Sequence, residues 1–318
     1  MIDRTRALGA ARAAGPALAV ALLLAVFAGN AAAAESAKPT AESLKQAVLV
    51  TGASAGIGRR ITEQLTTAGY YVFAGARKEQ DLKALSALPN VSGVRLDVTS
   101  ASDVAAAVEA VRRSGRELHG IVNNAGVLVI DPVVTMRDED FDFQMQVNVY
   151  GVFRVTKAFA PLVIAAKGRI VNISSISAFL SREGWSAYDM SKAAVEAFTD
   201  VLANEMAPLG VAVCAVEPGA YNTDILKPAL ERSITKGFKT DRSSMKPPDE
   251  VAAVVVRALT EAQPQRRYMI VAEQPQAERT VRALIDRLVQ LNENSPFRYD
   301  SAALTAMVRD AAAKAPAQ

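Results

Sequence analysis

The chain has 318 residues, of which half are apolar and 22% charged, so it is long enough for one large domain or two ordinary ones and does not have a disordered or fibrous composition. Its 36 basic and 33 acidic residues give a net charge of +3 and are spread along the chain, so we expect no nucleic-acid partner. The chain has one cysteine, Cys214, and one histidine, His119, so it can form neither an internal disulfide nor a Cys/His zinc site. A Ser-His-Asp hydrolase would have to use His119. We therefore predict no metal, and we interpret Cys214 as a buried thiol and His119 as structural.

The first 34 residues differ from the rest. Three arginines precede the apolar run 17–28, and the small residues 31–34 follow it. This pattern is typical of a signal peptide and predicts an exported protein, periplasmic or secreted. A retained membrane anchor is the alternative, because no charge occurs in 13–34, and it would give membrane association. A misassigned start would instead leave a cytoplasmic protein.

From Ala47 onward, short apolar runs alternate with longer segments of helical period, which indicates an α/β fold with a parallel sheet. We predict a linker over 35–46, one domain over 47–291 and a C-terminal extension over 292–318 with a short helix near 301–314. Seven strands are expected, near 47–51, 71–75, 93–97, 120–123, 169–174, 211–216 and 268–271. Helices are expected to begin near Ile57, Glu79, Ala101, Asp138, Ala187, Pro248 and Gln276.

A glycine-rich turn, TGASAGIG over Thr51 to Gly58, directly follows the first strand and opens a helix. Glycine there lets the backbone approach a pyrophosphate, which binds the free N–H groups of the helix N-terminus. Such a pattern alone also makes ordinary tight turns, and the strand-turn-helix context favours a dinucleotide. The predicted contacts are Gly52, Ser54, Gly56, Ile57 and Gly58.

The end of the second strand indicates which dinucleotide binds. An acid at this point would hydrogen-bond the ribose of NAD, but the sequence is Gly75-Ala76-Arg77-Lys78. Arg77 can pair with a 2′-phosphate, so we predict NADP (NADPH) as cofactor, with NAD as the weaker candidate. The alternative is an ordinary solvated basic pair at a helix start.

Tyr188 and Lys192 are four residues apart on a predicted helix and share a face. A phenol has a pKa of about 10, so acid-base work near neutrality needs a stabilised phenolate. An ammonium about 4 Å away contributes on the order of 4 kcal/mol at an effective dielectric of 20, enough to lower the pKa of Tyr188 by up to about three units. Alone, such a pair more often packs or extends to solvent.

Taken together, these residues resemble the short-chain dehydrogenase/reductase family over 47–271. The resemblance implies a doubly wound Rossmann fold with a seven-stranded parallel sheet, and an oxidoreductase that transfers a hydride between NADP(H) and an alcohol or carbonyl substrate. It adds further cofactor contacts by position, which are Asp97 and Val98 for adenine, Asn124, Ala125 and Gly126 along the cleft, and Pro218, Gly219 and Thr223 around the nicotinamide.

The resemblance also implies a catalytic set. Ser175, thirteen residues before Tyr188, orients the substrate oxygen, and Tyr188 exchanges its proton. Lys192 binds the nicotinamide ribose and lowers the tyrosine pKa, while Asn148 holds a water in the proton relay. One departure is Ala55, where many NADP-preferring members carry a basic residue. We also expect a homo-oligomer.

Two alternatives remain. One is an NADP(H) sensor or scaffold without turnover, but such a protein has no need of the four catalytic side chains. Epimerases and dehydratases of related fold usually add a larger C-terminal substrate domain, which this chain lacks.

The family's substrate pocket corresponds to 178–186 and 221–238. Both segments are mixed in character, and the second, with Pro228 and Gly237, is a predicted lid. No Arg/Lys cluster demands an anionic substrate, so we predict a hydrophobic secondary alcohol, ketone or aldehyde. The expected apolar contacts are Val127, Leu128, Val129, Phe179, Leu180, Trp185, Tyr221, Ile225 and Leu226.

Overall fold

The structure is a computed structural model and describes residues 46–225 and 242–314, all of which belong to one compact unit. The predicted leader, 1–34, lies outside the described residues. So does the predicted linker except for Gln46, which already begins the first strand.

Seven parallel strands form one sheet in the order β3-β2-β1-β4-β5-β6-β7, which confirms the predicted doubly wound fold. The order reverses between β1 and β4, and such a switch point opens a crevice at the carboxyl ends of the strands. The strands are β1 Gln46–Val50, β2 Tyr71–Ala76, β3 Val91–Arg95, β4 Glu117–Asn123, β5 Arg169–Ile173, β6 Ala212–Pro218 and β7 Arg267–Ile270.

Eight of the described helices begin within two residues of a predicted start, and the helix that begins at Gly151 was not predicted separately from the one at Asp138. They are α1 Gly56–Thr67, α2 Glu79–Ser86, α3 Ala101–Arg113, α4 Asp138–Met145, α5 Gly151–Ala165, α6 Ser186–Met206, α7 Asp249–Thr260, α8 Gln274–Glu293 and α9 Ser301–Ala313. The break between these two helices, α4 and α5, was not predicted either. A π-helical turn, Gln146–Tyr150, joins α4 to α5, and Asn148 lies within it.

Helices cover both faces of the sheet, as the apolar strands require. On one face α1 and α7 pack together over the sheet, with Ile61 and Leu65 fully buried. On the other face α3, α5 and α6 enclose a second core that includes Phe159 and Leu202. These two layers hold the strand ends in fixed positions around the crevice.

One described stretch, Asp138–Ala165, is long and apolar enough to cross a membrane by length and composition. In the structure its α5 part packs against β4, as a core helix does. By contrast α8, which extends two residues past the predicted domain boundary, and α9 are largely exposed.

The single histidine and the single cysteine lie away from the crevice. His119 stacks on Tyr70 and contacts the Leu259 carbonyl through Nε2 at 3.2 Å. Cys214 is fully buried, and burial raises the pKa of its thiol to about 12. Both environments are structural.

Candidate active site

A cleft of about 560 Å³ opens at the carboxyl ends of the strands, beside the switch point between β1 and β4. Every predicted cofactor contact lines it, and so does every predicted catalytic residue except Asn148, which lies behind the wall. Within 46–225 and 242–314, no group of three or more His, Cys, Asp or Glu side chains is arranged to hold a metal ion.

The glycine turn has no room for side chains. A Cβ on Gly52 would lie 2.8 Å from the Ala125 Cα, and one on Gly58 would lie 2.3 Å from the Gly52 carbonyl oxygen. Asn124 fastens the turn because its Nδ2 donates to the Thr51 and Gly52 carbonyl oxygens at 2.9 and 3.0 Å. The turn therefore presents bare backbone to the cleft.

The N-terminus of α1 is open toward the same space. Its capping residue, Ala55, makes no side-chain cap, and its first turn carries no acid. The unpaired N–H groups and the positive end of the helix dipole suit a phosphate. Together with the glycine turn, they form a cradle that fits the pyrophosphate of a dinucleotide.

The adenine end of the cleft holds Arg77 and Asp97. Arg77 follows the last residue of β2 and is exposed at the cleft wall. Burial raises the pKa of Asp97, but hydrogen bonds from Thr99 and the charges of Arg77 and Arg95 outweigh it and hold that pKa below its usual value. Asp97 is thus ionised, and among the described residues no carboxylate stands at the tip of β2.

A buried amide ladder ties the sheet to the helices beneath the site. Asn123 Nδ2 donates to Thr156 Oγ1 at 2.9 Å and to Asn172 Oδ1 at 2.8 Å. Asn172 Nδ2 donates in turn to Thr199 Oγ1 at 2.9 Å. The carboxyl ends of β4 and β5 are therefore fixed to α5 and α6, and α6 carries Tyr188 and Lys192.

Ser175 and Tyr188 meet at the reaction end of the cleft. The Ser175 hydroxyl donates to the Pro218 carbonyl at 3.3 Å and hydrogen-bonds the Tyr188 side chain. Tyr188 is 8% exposed and packs between Leu128 and the edge of the Trp185 ring, at 5.9 Å between centroids. The phenol is thus buried with its hydroxyl at Ser175.

Lys192 lies one helical turn beyond Tyr188, as predicted, but its ammonium is directed to the end of β5. Its Nζ donates to the Ile173 carbonyl at 2.9 Å and lies 5.6 Å from the Tyr188 ring centroid. Burial lowers the pKa of Lys192 to about 8, although the charge of Glu196 opposes this.

The predicted lowering of the Tyr188 pKa is not seen. Burial raises the pKa of Tyr188 to about 12, and the Ser175 hydrogen bond and the charge of Arg182 offset this only in part. Our expectation assumed an ammonium about 4 Å from the phenol, whereas Lys192 turns toward Ile173, so desolvation dominates.

Asn148 joins three elements from its position in the π-helical turn. Its Oδ1 accepts from the Val127 N–H at 2.8 Å, and its Nδ2 donates to the Val127 carbonyl at 2.9 Å and to Ser191 Oγ at 3.0 Å. Ser191 donates onward to the Tyr188 carbonyl at 2.8 Å. The π turn thereby connects the loop after β4 to the first turns of α6.

The nicotinamide end is closed by residues from both sides. A Cβ on Gly56 would lie 3.3 Å from Thr223, so Thr223 faces the glycine turn. Gln276 Oε1, at the start of α8, accepts from the Ala220 N–H at 3.0 Å. Gln276 and Arg279 line the cleft and were missed from the sequence, where no motif marks them.

The substrate end agrees only partly with the predicted apolar wall. Val127, Leu128, Leu180, Trp185, Tyr221 and Ile225 line the cleft, whereas the predictions for Phe179 and Val129 were wrong. Val129 is fully buried and its N–H donates to Gln144, because that segment faces the core. Leu226 and the rest of the predicted lid to 238 lie outside the described residues.

Arg182 is the main omission at this end. The sequence interpretation counted only the apolar members of the loop before Tyr188, yet Arg182 lines the cleft. Its guanidinium stacks 3.5 Å over the Trp185 ring, contacts Ser177 Oγ and pairs with Asp189 at 2.9 Å. A cation therefore stands in the wall beside Tyr188.

These features define a Rossmann-type dinucleotide fold with a tyrosine, lysine and serine at one end of its cleft. The model of a known family, described as short chain dehydrogenase, matches residues 46–233, more than half of the chain. The chain therefore belongs to the short-chain dehydrogenase family.

Individual relatives agree with this. The chain is similar to the mitochondrial D-beta-hydroxybutyrate dehydrogenase of Bos taurus, 39% identical over 55% of this chain and 54% of that protein, so it spans about half the length of this relative. A short chain dehydrogenase from Burkholderia cenocepacia in complex with NADP superposes with a TM-score of 0.64 at 26% identity, covering 79% of this chain and 98% of the other. The structure of a short chain dehydrogenase/reductase from Burkholderia phymatum in complex with NAD, with a TM-score of 0.68 at 24% identity over 80% of this chain and 98% of the other, shows the same fold.

Proposed function

We propose that the protein is an NADP-dependent oxidoreductase that transfers a hydride between NADP(H) and a hydrophobic secondary alcohol, ketone or aldehyde. The observation that carries this proposal is the grouping of Ser175, Tyr188 and Lys192 at one end of a cleft whose other end holds a bare glycine turn and Arg77. A protein that only sensed the cofactor would not need the proton-transfer group.

The chain's residues divide the work of carbonyl reduction. The Ser175 hydroxyl, which already contacts Tyr188, orients the substrate oxygen, and the Tyr188 hydroxyl donates its proton to that oxygen. In alcohol oxidation the same proton returns to Tyr188. The bound cofactor supplies or accepts the hydride.

Lys192 and Asn148 support this proton transfer. Among the described residues, only the Ile173 carbonyl takes one of the three donors of the Lys192 ammonium, which leaves donors for the ribose of the nicotinamide. Oxygen Oδ1 of Asn148 and Nζ of Lys192 both lie within 4 Å of the Cβ that a side chain at Gly126 would carry. We assign to Asn148 a water at this point, through which protons reach Lys192 and the ribose.

The NADP preference rests on the tip of β2. Arg77 is exposed there and can pair with a 2′-phosphate, and the ionised Asp97, two residues after the neighbouring strand β3, balances the local charge. A strand tip without a carboxylate gives NAD no ribose acceptor. NAD is the weaker candidate.

The substrate end supports a hydrophobic substrate. Leu128, Leu180 and Ile225 offer apolar contact beside Tyr188, and Trp185 adds an aromatic edge. A second candidate is a small hydroxy acid, because Arg182 brings a guanidinium to the wall and because one relative is named for D-beta-hydroxybutyrate. The pairing of Arg182 with Asp189 already offsets that charge, which favours the neutral substrate.

A substrate screen tests the proposal. NADPH consumption is measured over ketones and aldehydes of increasing apolar size, with NADP-dependent oxidation of the matching alcohols and of 3-hydroxy acids run in parallel. We expect kcat/KM to rise with apolar size, by roughly 0.8 kcal/mol for each methylene buried. A flat series, or a preference for hydroxy acids or polyols, would reject the apolar pocket.

The location is a separate proposal that rests on the arginines and apolar run of the first 34 residues. We propose that the segment directs the folded domain across a membrane, by cleavage or as an anchor. Cell fractionation with N-terminal sequencing tests it. A cytoplasmic protein that retains Met1 would contradict the proposal and indicate another start.

A further inference from the structure

Arg182 and Asp189 form an ion pair beside the reaction end of the cleft. The Arg182 guanidinium donates to Asp189 Oδ1 at 2.9 Å, and the Arg182 backbone N–H donates to Asp189 Oδ2 at 3.3 Å. The two side chains are 34% and 12% exposed, so salt and water screen this pair less than a pair on the open surface. Because Asp189 directly follows Tyr188 in the chain, the pair stands next to the proton donor.

Arg182 reaches both hydroxyl groups of the reaction end through neighbouring residues. Its guanidinium carbon lies 3.5 Å from the centroid of the Trp185 ring, and that ring meets the Tyr188 ring at 5.9 Å between centroids and at 75°. Its Nη2 also contacts Ser177 Oγ, and the Ser177 N–H donates to Ser175 Oγ at 3.1 Å. Arg182 is therefore linked to Tyr188 on one side and to Ser175 on the other.

Proton donation by Tyr188 leaves a negative charge on its oxygen, and a nearby cation stabilises that charge. Burial raises the pKa of Tyr188 to about 12, and Lys192 directs its ammonium to the Ile173 carbonyl. The charge of Arg182 lowers the pKa of Tyr188, whereas the charge of Asp189 raises it. The two members of the ion pair thus act on the same proton in opposite directions.

Other charged groups lie on the elements that pack around α6 and the loop before it. They are Lys192 on the helix itself, Asp131 after β4, Asp140 on α4, Glu217 on β6, and Arg279 and Arg287 on α8. Among the described residues, the ion pair supplies both of the charges that shift the pKa of Tyr188. The ion pair is therefore placed to tune the proton transfer.

We propose that the Arg182–Asp189 pair positions and tunes Tyr188 electrostatically, with Arg182 stabilising the negative charge on the phenol oxygen and Asp189 limiting that stabilisation. This inference rests on the proposed function, in which Tyr188 gives its proton to the substrate oxygen. In alcohol oxidation the phenolate takes the hydroxyl proton of the alcohol, and the hydride passes to NADP. Both members of the pair act through Tyr188 and are positioning residues.

The pH profile of alcohol oxidation tests the signs of the two charges. This reaction needs the phenolate, so kcat/KM at saturating NADP rises with pH as Tyr188 ionises. It is measured from about pH 6 to 10 with the best alcohol of the substrate screen. Arg182→Gln should move the rising limb to higher pH by at least about 0.5 unit, and Asp189→Asn should move it to lower pH by a similar amount. Arg182→Lys keeps the charge and should leave the limb near its wild-type position.

The opposite signs separate this role from a structural one. Arg182→Gln and Asp189→Asn break the same ion pair, so a structural role would change the two variants alike. The matched control is Arg112→Gln, which removes an arginine from an exposed ion pair with Glu109 on α3 and should not move the limb. Shifts in the same direction, or no shift in either variant, would overturn the proposal. If Arg182→Gln does not fold, Asp189→Asn decides, since only a shift to lower pH supports the proposal.

A titration that needs no turnover separates this inference from the proposed function. In protein labelled with carbon-13 at tyrosine Cζ, the Tyr188 signal is assigned by its loss in Tyr188→Phe and followed by NMR from about pH 9 to 11.5. Ionisation should begin at higher pH in Arg182→Gln and at lower pH in Asp189→Asn than in the wild type. Unchanged titration in both variants would overturn the inference. Opposite shifts in a protein without turnover would support it and reject the proposed function alone.

Discussion

The two halves of the cleft are built by different means. The cofactor half is shaped by backbone, with Gly52 and Gly58 where a Cβ would collide with neighbouring main chain, and with Asn124 fastening the turn. The substrate half is assembled from side chains of distant segments, such as Arg182 from the loop before α6 and Gln276 from α8. The cofactor half therefore tolerates almost no substitution, whereas the substrate half can be altered to accept another substrate.

The largest expected effect lies where the two halves meet. Tyr188→Phe removes the one hydroxyl placed to exchange the substrate proton, so turnover should fall at least about 100-fold, the low end for the loss of general acid-base catalysis. Cofactor binding, which depends on the other half, should be unchanged by fluorescence titration. A folded variant with near-normal turnover would refute the assigned role of Tyr188.

The next effect tests the rigidity of the cofactor half. In Gly58→Ala the added Cβ meets the Gly52 carbonyl oxygen and Asn124 Nδ2, so the turn must open and NADPH should bind at least about tenfold more weakly. Gly115→Ala is the control, since its Cβ meets nothing within 4 Å but its φ of +66° imposes strain. That variant should lose stability without losing affinity, and equal losses of affinity would contradict the account.

The third prediction tests the far end of the cofactor half, where Arg77 is inferred to select NADP over NAD. Ala76→Asp combined with Arg77→Ala introduces a ribose acceptor and removes the 2′-phosphate partner. We expect a shift from NADP toward NAD of a few kcal/mol, about 10- to 100-fold or more in the ratio of dissociation constants. Titration of the unmodified protein with both cofactors provides the reference. Tighter NAD than NADP binding there would show that Arg77 does not act as inferred.

The lowered pKa of Lys192 predicts a moderate effect of pH on the affinity for NADPH. Its pKa in the free enzyme is lowered to about 8, so its charge, and with it cofactor affinity, should decline as the pH rises through 8 rather than near 10. In Lys192→Arg the side chain stays charged, and that decline should vanish even if the affinity itself drops. The measurement is the NADPH dissociation constant from pH 6 to 10. An identical decline in both proteins would assign it to another group.

The smallest expected effect is on the thermal stability of the fold, through the buried Glu217 of β6. Burial first, and then the charge of Glu196, raise the pKa of Glu217 to about 8, against the opposing charge of Arg267. A raised acid pKa favours the folded state at low pH, so this contribution is full below about pH 4 and is lost as the pH rises through 8. Glu217→Gln should flatten the fall of Tm with pH over this range, at roughly 3 °C per kcal/mol. An unchanged slope would mean that Glu217 is ionised throughout.

The difference between the cofactor half and the substrate half of the cleft also explains which features the sequence predicted. The fold and the cofactor half followed from short motifs, because Gly52 to Gly58 and the Tyr188–Lys192 pair act within one turn or one helix. Gln276 and Arg182 were missed because their place in the wall depends on long-range packing and, for Arg182, on pairing with Asp189. The Tyr188 pKa was predicted in the wrong direction because spacing along a helix does not reveal burial or that Lys192 turns to Ile173.

Isotope transfer tests the central claim most directly. The protein is incubated with NADPH carrying deuterium at C4 of the nicotinamide, on either face, and with the best carbonyl compound of the substrate screen. The account predicts that the alcohol product carries the deuterium from one of the two faces, and that Tyr188→Phe forms at least about 100-fold less of it while binding NADPH equally well. Tight NADPH binding with no deuterium in any product would contradict it and identify the cleft as a sensor of the cofactor.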